Sequence, residues 1–456
     1  MKIIILGVGT VGSTLAILLS QEDNDITVID KDESVLHHLE EEADIKTVIG
    51  SCSFPNNLIN SGIKEADMVV AVTGSDEINI VSCLISKVLS RKVKTIARIR
   101  ESAYLKDRTK RAMEEGVIPV DIIVSPEKLI TDYIQALIET PGSLQVLEFG
   151  DGLLNLVGAR AVKGGPLIGH EIGDLKKHMP NVDTRVAAIF RAGGAIIPKG
   201  TTTVEAGDEV FFIARRKDAI KVINEMRKKE DPYKYVIIAG GGKIGSGLAQ
   251  QIEHNHRVKV IESNSDRAKE ISEILISSIV LEGNVSDKSL LHEENVEKSD
   301  VFVAVTNDDE ANIMSCMLAK EMGAHKVIAL INNEAYVDLV QERGIDVAIA
   351  PSQITIGTFL SELAGDEVVK IHSLRKGAAE AIEIIVKAST NGKEDVIGKE
   401  LENIKLPVGA TIGAIIRKNR AKIAHDDVKL REHDHVVLFL INKKILPQVK
   451  EIFSPS

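Results

Sequence analysis

The chain repeats itself. Ile5-Leu6-Gly7-Val8-Gly9-Thr10-Val11-Gly12-Ser13 returns as Ile238-Ala239-Gly240-Gly241-Gly242-Lys243-Ile244-Gly245-Ser246, with Gly7 and Gly240 standing 233 residues apart. Val28-Ile29-Asp30 returns as Val260-Ile261-Glu262, and Val70-Ala71-Val72-Thr73 as Val303-Ala304-Val305-Thr306. Asn79 and Cys83 match Asn312 and Cys316 in the same way. Farther on, Asp121 to Pro126 pairs with Asp346 to Pro351, Leu167-Ile168-Gly169 with Val396-Ile397-Gly398, and Ala188-Ile189-Phe190-Arg191 with Ala414-Ile415-Ile416-Arg417. So many matches in one order mark a duplication, which constrains the architecture more than any single motif. The halves meet at Arg227-Lys228-Lys229-Glu230-Asp231-Pro232, a charged run ending in proline that reads as a linker.

Each half divides again. Residues 1–125 alternate short apolar runs (Ile3–Leu6, Ile26–Ile29, Met68–Val72, Thr95–Ile99) with amphipathic helical patterns. That alternation predicts βαβ units in a parallel sheet with helices on both faces. An amphipathic crossover helix is expected over 126–143. A small α+β lobe over 144–228 follows, with a helix-like Glu171–Lys177 and strand-like Arg185–Arg191, Ala195–Ile197 and Glu209–Ala214 around glycine turns. The second half repeats this plan as 233–350, 351–366 and 367–453. The expected fold class is α/β: two tandem Rossmann-like, doubly wound parallel-sheet domains, each followed by a small α+β lobe. Length alone, 456 residues at about 100–200 per domain, points to three or four units.

Composition narrows the functions. A net charge of −11 argues against non-specific binding of nucleic acid or of anionic membranes. Aromatics make up 3%, with no Trp, which disfavours a stacking platform for single strands. No segment approaches the roughly 20 apolar residues of a spanning helix. The opening Met1-Lys2-Ile3-Ile4-Ile5-Leu6-Gly7 is too short for a signal sequence and reads as a first strand. Three scattered cysteines, Cys52, Cys83 and Cys316, supply neither a disulfide framework nor a clustered zinc site, so a reduced cytoplasm is expected.

Gly7-Val8-Gly9-Thr10-Val11-Gly12 follows an apolar strand, opens a helix and is trailed by Asp30 at the end of the second strand. This is the context that a dinucleotide fingerprint requires. Its glycines permit a tight turn and close approach of a pyrophosphate to the positive end of a helix. Asp30 can accept ribose hydroxyls and disfavours a 2′-phosphate. Gly240-Gly241-Gly242-Lys243-Ile244-Gly245 with Glu262 repeats every element. Lys243 either adds a cation beside a phosphate or points to solvent. Thr73-Gly74 and Thr306-Asn307 follow the fourth strand, where they line the ligand crevice or cap the next helix. Gly50-Ser51 and Gly283-Asn284 end the third strand, where a base or ribose would rest. Arg98 leaves the next strand toward the crevice and would meet a phosphate; Leu330 replaces it in the second half, so the two sites are not expected to be equivalent.

Catalytic machinery is not evident. His37-His38, His254-x-His256 and His433-x-His435 lie in polar contexts without repeated counterparts or metal-ligand spacing. Cys83 and Cys316 repeat but sit among apolar neighbours, as packing residues do. Neither a Gly-x-Ser-x-Gly elbow nor a P-loop occurs. A non-enzyme is therefore expected, with no metal, the alternative being an NAD-dependent dehydrogenase with tandem Rossmann domains.

A Rossmann-like lobe, a crossover helix and a small α+β lobe, all twice, resemble the tandem RCK (regulator of potassium conductance) architecture. Within it the chain is similar to the peripheral regulatory subunits of bacterial Trk-type potassium-uptake systems. The resemblance spans essentially the whole length. It is carried by Met1 to Gly12, Asp30, Asp67-x-x-Val70-Ala71-Val72-Thr73, Asn79, Ala97-Arg98, Ile168-Gly169, Ile189-Phe190-Arg191 and Ala206-Gly207-Asp208. It implies binding of NAD or NADH and of ATP or ADP in the Rossmann-like lobes. It also implies a homo-oligomeric ring on the cytoplasmic face of the membrane, and control of an integral membrane potassium translocator. Two repeats per chain make a tetramer the economical ring. Leu330 for Arg98, His433 for Gly207 and Asn419-Arg420 for Gly193-Gly194 are departures between the halves.

Overall fold

The computed structural model of the chain describes residues 1–21, 24–341, 343–364, 367–374, 378–389, 396–425 and 428–455. They form one unit of Met1–Leu129 with Ile354–Leu360 and a second of Ile130–Gln353 with Ser361–Ser456. Among the described residues no helix is long and apolar enough to cross a membrane.

The first unit holds a six-stranded parallel sheet of β1 (Lys2–Leu6), β2 (Asp25–Asp30), β3 (Lys46–Ile49), β4 (Met68–Ala71), β5 (Lys94–Arg98) and β6 (Ile122–Val124). The order is β3-β2-β1-β4-β5-β6. Ile3–Leu6 and all of β4 are buried, because strands covered on both faces are apolar throughout rather than alternating. The helix Thr10–Ser20 presents Val11, Gly12, Leu15, Ala16 and Leu19 to the sheet, a stripe at helical spacing. Strand order reverses between β1 and β4, which opens a crevice at their carboxyl ends.

The second unit contains three sheets. The first is antiparallel: β7 (Ser143–Phe149), β8 (Leu154–Arg160), β9 (Thr184–Arg191), β10 (Gly194–Ile196) and β11 (Glu209–Arg215), ordered β10-β9-β11-β8-β7. A second parallel sheet follows: β12 (Tyr235–Ala239), β13 (Arg257–Glu262), β14 (Ile279–Glu282), β15 (Val301–Ala304), β16 (Lys326–Leu330) and β17 (Val347–Ile349). Its order, β14-β13-β12-β15-β16-β17, reproduces the first parallel sheet strand for strand. The last sheet comprises β18 (Val368–Leu374), β19 (Ala379–Ile385), β20 (Ala410–Arg417), β21 (Arg420–Ile423) and β22 (His435–Leu440). It follows the path of the first antiparallel sheet. Helices Pro126–Glu139 and Pro351–Leu363 precede the two small lobes.

The departures in the last lobe preserve backbone shape. His433 has φ +66° where Gly207 has +97°, and Asn419 has +58° where Gly193 has +85°. Asn and His are among the side chains that tolerate the left-handed region. Each lobe also keeps a two-bond lock. Arg191 Nε and Nη2 each lie 2.8 Å from the Asp208 oxygens, and Arg417 Nε and Nη2 each lie 2.7 Å from those of Asp434. The two small lobes share a core that joins Phe149, Phe190 and Phe211 to Leu374, Val437 and Phe439.

The run between the halves is not a loose tether. Arg227 pairs with Glu230 and donates to the Gly142 carbonyl at 3.2 Å, while Glu230 accepts from the Tyr233 hydroxyl at 2.8 Å and faces His325 at 3.3 Å. The neighbouring Lys326, only 5% exposed, donates to the carbonyls of Leu137 and Ser143. Burial disfavours the Glu230 carboxylate, but His325, Tyr233 and Arg227 outweigh it and hold the pKa at about 2. Because the folded value lies below the ordinary 4.5, this contribution is present above about pH 4.5 and lost as pH falls toward 2. Denaturant unfolding at a series of pH values should therefore show a shallower acid decline for Glu230→Gln than for the unaltered chain, from a lower stability at pH 7. Parallel declines would remove Glu230 from this role.

Candidate nucleotide sites

The glycines of the first turn are needed for different reasons. Gly7 has φ +98°, and a Cβ there would lie 2.9 Å from the Thr73 Cα. A Cβ at Gly12 would lie 1.9 Å from the Gly7 carbonyl oxygen, so the helix packs on the turn only with hydrogen at that position. Gly9 differs from both. Its backbone is extended, at φ −75° and ψ −177°, and a Cβ there would meet nothing within 4 Å. The fold does not demand glycine at Gly9; a ligand lying against the backbone would. The second turn repeats the distinction. Gly240 (φ +106°) abuts Thr306, a Cβ at Gly245 would lie 1.9 Å from the Gly240 oxygen, and Gly242 faces open space.

Gly9 and Gly242 stand at the N-caps of helices Thr10–Ser20 and Lys243–Ile252. Neither supplies a side-chain cap, and neither helix has an acid in its first turn. The positive ends of both helix dipoles, with no capping side chain over them, thus suit an anion. Thr10 and Lys243 are exposed at these starts, whereas the Val11 side chain is buried and Ile244 partly so.

The acids brace the turns. Asp30 Oδ2 accepts from the Val8 N–H at 2.7 Å and Oδ1 from the Asp32 N–H at 3.0 Å. Glu262 Oε2 accepts from Gly241 at 2.8 Å and Oε1 from Asn264 at 2.8 Å. Each carboxylate, held by two backbone donors, retains lone pairs for ribose hydroxyls. At Gly241 a Cβ would come within 2.3 Å of Ile271 Cδ1, which explains glycine where the first turn has the buried Val8.

Thr73 and Thr306 are not helix caps. Ser75 caps Asp76–Leu89 through the Ile78 N–H, and Asp308 caps Asp309–Met322 through the Ala311 N–H. The Thr73 N–H and hydroxyl instead donate to Asn79 Oδ1 at 2.9 and 2.7 Å, and Thr306 donates to Asn312 at the same two distances. Asn79 Nδ2 donates in turn to the Arg98 carbonyl, and Asn312 Nδ2 to that of Leu330. Each buried Asn ties the ends of two strands together at the crevice. Gly74 and Asn307 follow as exposed residues.

Arg98 Nη2 donates to the Thr73 carbonyl at 2.9 Å, and its Nε is buried without a hydrogen-bond partner. Burial, with the like charge of Arg100, pulls its pKa below the usual arginine value. A cation that is short of partners at the rim of a glycine turn suits an anionic ligand. Leu330, 4% exposed, fills the equivalent place in the second half.

Asn79 and Asn312 were visible in the sequence as repeated residues but not as site-builders. Asp76 and Asp309 share the same 233-residue spacing. Asp76 accepts from the N–H groups of Arg100 and Glu101, and Asp309 from those of Asn332 and Asn333. Cys83 and Cys316 are fully buried; burial pushes the Cys83 thiol to about 12 and raises Cys316 as well, so neither is a thiolate at neutral pH. His37 and His38 lie on the exposed face of helix Glu33–Glu42 beside its own carboxylates, and His435 pairs with Glu383 at 2.7 Å.

The two kinds of glycine separate in experiment. With the second turn closed by Gly242→Ala, adding Gly9→Ala should leave the urea midpoint unchanged while weakening the remaining ADP binding more than tenfold in calorimetry. Gly12→Ala should instead cost about 3 kcal/mol of stability. A Gly9→Ala, Gly242→Ala protein that binds ADP as well as Gly242→Ala alone would contradict the placement of a phosphate at this turn.

Two family models match the chain. The TrkA-N domain covers residues 3–126 and again 236–351, and the TrkA-C domain covers 156–227. The Trk system potassium uptake protein TrkA of Halomonas elongata is 51% identical over 453 residues, spanning 99% of this chain and 98% of the relative. Among solved structures, the GsuK RCK domain aligns with a TM-score of 0.62 at 18% identity, covering 98% of this chain and 94% of that one. The GsuK channel bound to NAD aligns with a TM-score of 0.62 at 17% identity, over 98% and 78%. At these identities the likeness to the solved structures is one of fold.

Proposed function

The chain belongs to the TrkA family of Trk-system potassium uptake proteins, and we propose that it is the regulatory subunit of such a system rather than an enzyme. In this reading it sits on the cytoplasmic face of the membrane as a homotetrameric ring. It binds NAD(H) and ATP or ADP in its Rossmann-like lobes and controls potassium flux through an integral membrane translocator. The observation that carries the reading is the pair of uncapped helix N-termini behind Gly9 and Gly242, each braced by an acid at the end of the second strand. These are binding features; among the described residues no repeated acid/base pair accompanies them. The TrkA relative's name supports a potassium-uptake role, and the NAD-bound channel of like fold supports the ligand class.

Regulation follows from linkage. A nucleotide shifts a gate only through its differential affinity for two conformations of the ring. A tenfold preference is worth about 1.4 kcal/mol per site. Repeated over the sites of a symmetric ring, that preference becomes a decisive shift in population. ATP and ADP differ at the far phosphate, and Arg98 at the Thr73 rim is the group placed to register the difference in the first lobe.

The test is co-purification with the Trk translocator, followed by potassium flux into vesicles with and without ATP, ADP and NADH. Flux should depend on the subunit and change with the nucleotide, while nicotinamide absorbance stays constant. Flux that ignores both the subunit and every nucleotide would defeat the proposal.

A further inference from the structure

The two sites differ by more than the loss of Arg98. Arg267 occupies the third position of helix Ser265–Ile274, where its N–H is fixed by the cap residue Asn264 at 2.9 Å. Its side chain folds back onto the second glycine turn. Nε donates to the Gly241 carbonyl at 3.0 Å, Nη2 donates to Ser246 Oγ at 3.3 Å, and Nη1 pairs with Glu270 at 2.7 Å. One residue of the turn is held between opposite charges, since Glu262 takes the Gly241 N–H and Arg267 the Gly241 carbonyl. The Arg267 side chain remains 29% exposed. Counting from the acids that end the second strands, Asp30 and Glu262, the equivalent residue of the first half is Val35, which carries no charge.

The cations therefore stand on opposite sides of their turns. Arg98 binds the Thr73 carbonyl after β4, on the side away from Asp30. Arg267 lies on the same side as Glu262, the side where the adenosine ribose rests on an acid in a dinucleotide site. A planar guanidinium fixed in this way suits both a phosphate oxygen and the face of a purine. Resting on the nucleotide reading above, we propose that Arg267 is the specificity-determining cation of the second site, matched to the adenosine diphosphate portion that ADP, ATP and NADH share. The second site reads what these ligands have in common. The first site, with Arg98 on the far side and Val35 on the near side, reads what distinguishes them.

Calorimetry with ADP, ATP and NADH as separate probes tests this, each site being measured with the other closed by alanine at Gly9 or Gly242. In the Gly9→Ala background, Arg267→Gln should weaken all three ligands by a similar factor of about tenfold, equivalent to about 1.4 kcal/mol. In the Gly242→Ala background, Val35→Arg should strengthen ADP several-fold by supplying the missing cation. Thermal midpoints without ligand show whether each variant is folded. If Arg267→Gln is folded, binding within twofold of its background overturns the inference, as does a loss confined to ATP. If Arg267→Gln does not fold, absence of any gain in Val35→Arg overturns it. ADP binding that is present but indifferent to Arg267 defeats this inference alone; no binding of any nucleotide by the unaltered chain defeats the nucleotide reading as well.

Discussion

The site depends on how closely a helix can approach the turn that precedes it. At Gly12 a side chain would begin 1.9 Å from the Gly7 carbonyl, and the same distance recurs at Gly245 and Gly240. Without that approach the helix could not start directly at the end of β1 with its first N–H groups unclaimed. The acid at the end of the second strand then holds the intervening peptide from the other side. Turn, helix and acid form one unit, and that unit was duplicated whole.

Around this shared unit the halves diverge in charge. Asn79 and Asn312 make the same bonds to Thr73 and Thr306 and to the carbonyl at the end of the next strand, so the backbones of the two crevices are built alike. The side chain on that carbonyl's residue is free to vary, and it is Arg98 in one half and Leu330 in the other. Arg267 against Val35 is the converse change on the opposite side. A duplicated scaffold with independently drifting cations turns two alike crevices into two of different charge.

Much of this was legible in the chain itself. The repeat, the alternating βαβ pattern and the Gly-x-Gly-x-x-Gly turns followed by Asp30 and Glu262 placed both parallel sheets and both turns, because such features depend on local periodicity and on conformations open mainly to glycine. The roles of Thr73 and Thr306 were not legible. Capping and bracing both favour Thr followed by polar residues, and only the position of Asn79 six residues on decides between them. The run Arg227 to Pro232 reads as a linker, yet Glu230 lies against Tyr233 and His325. Charge alone does not reveal a partner nearly a hundred residues away in the chain.

The sequence by itself determined the architecture, the number of nucleotide-type turns and the acids beside them, since each follows from residues within a few positions of one another. Tertiary structure decided which glycines serve the fold and which leave room for a ligand: Gly9 and Gly12 look alike in a motif, but one faces open space and the other a carbonyl. It also placed a cation on the second turn. Arg267 is separated from Gly241 by a helix and a strand, and only the folding of β13 beside β12 brings a guanidinium onto that turn.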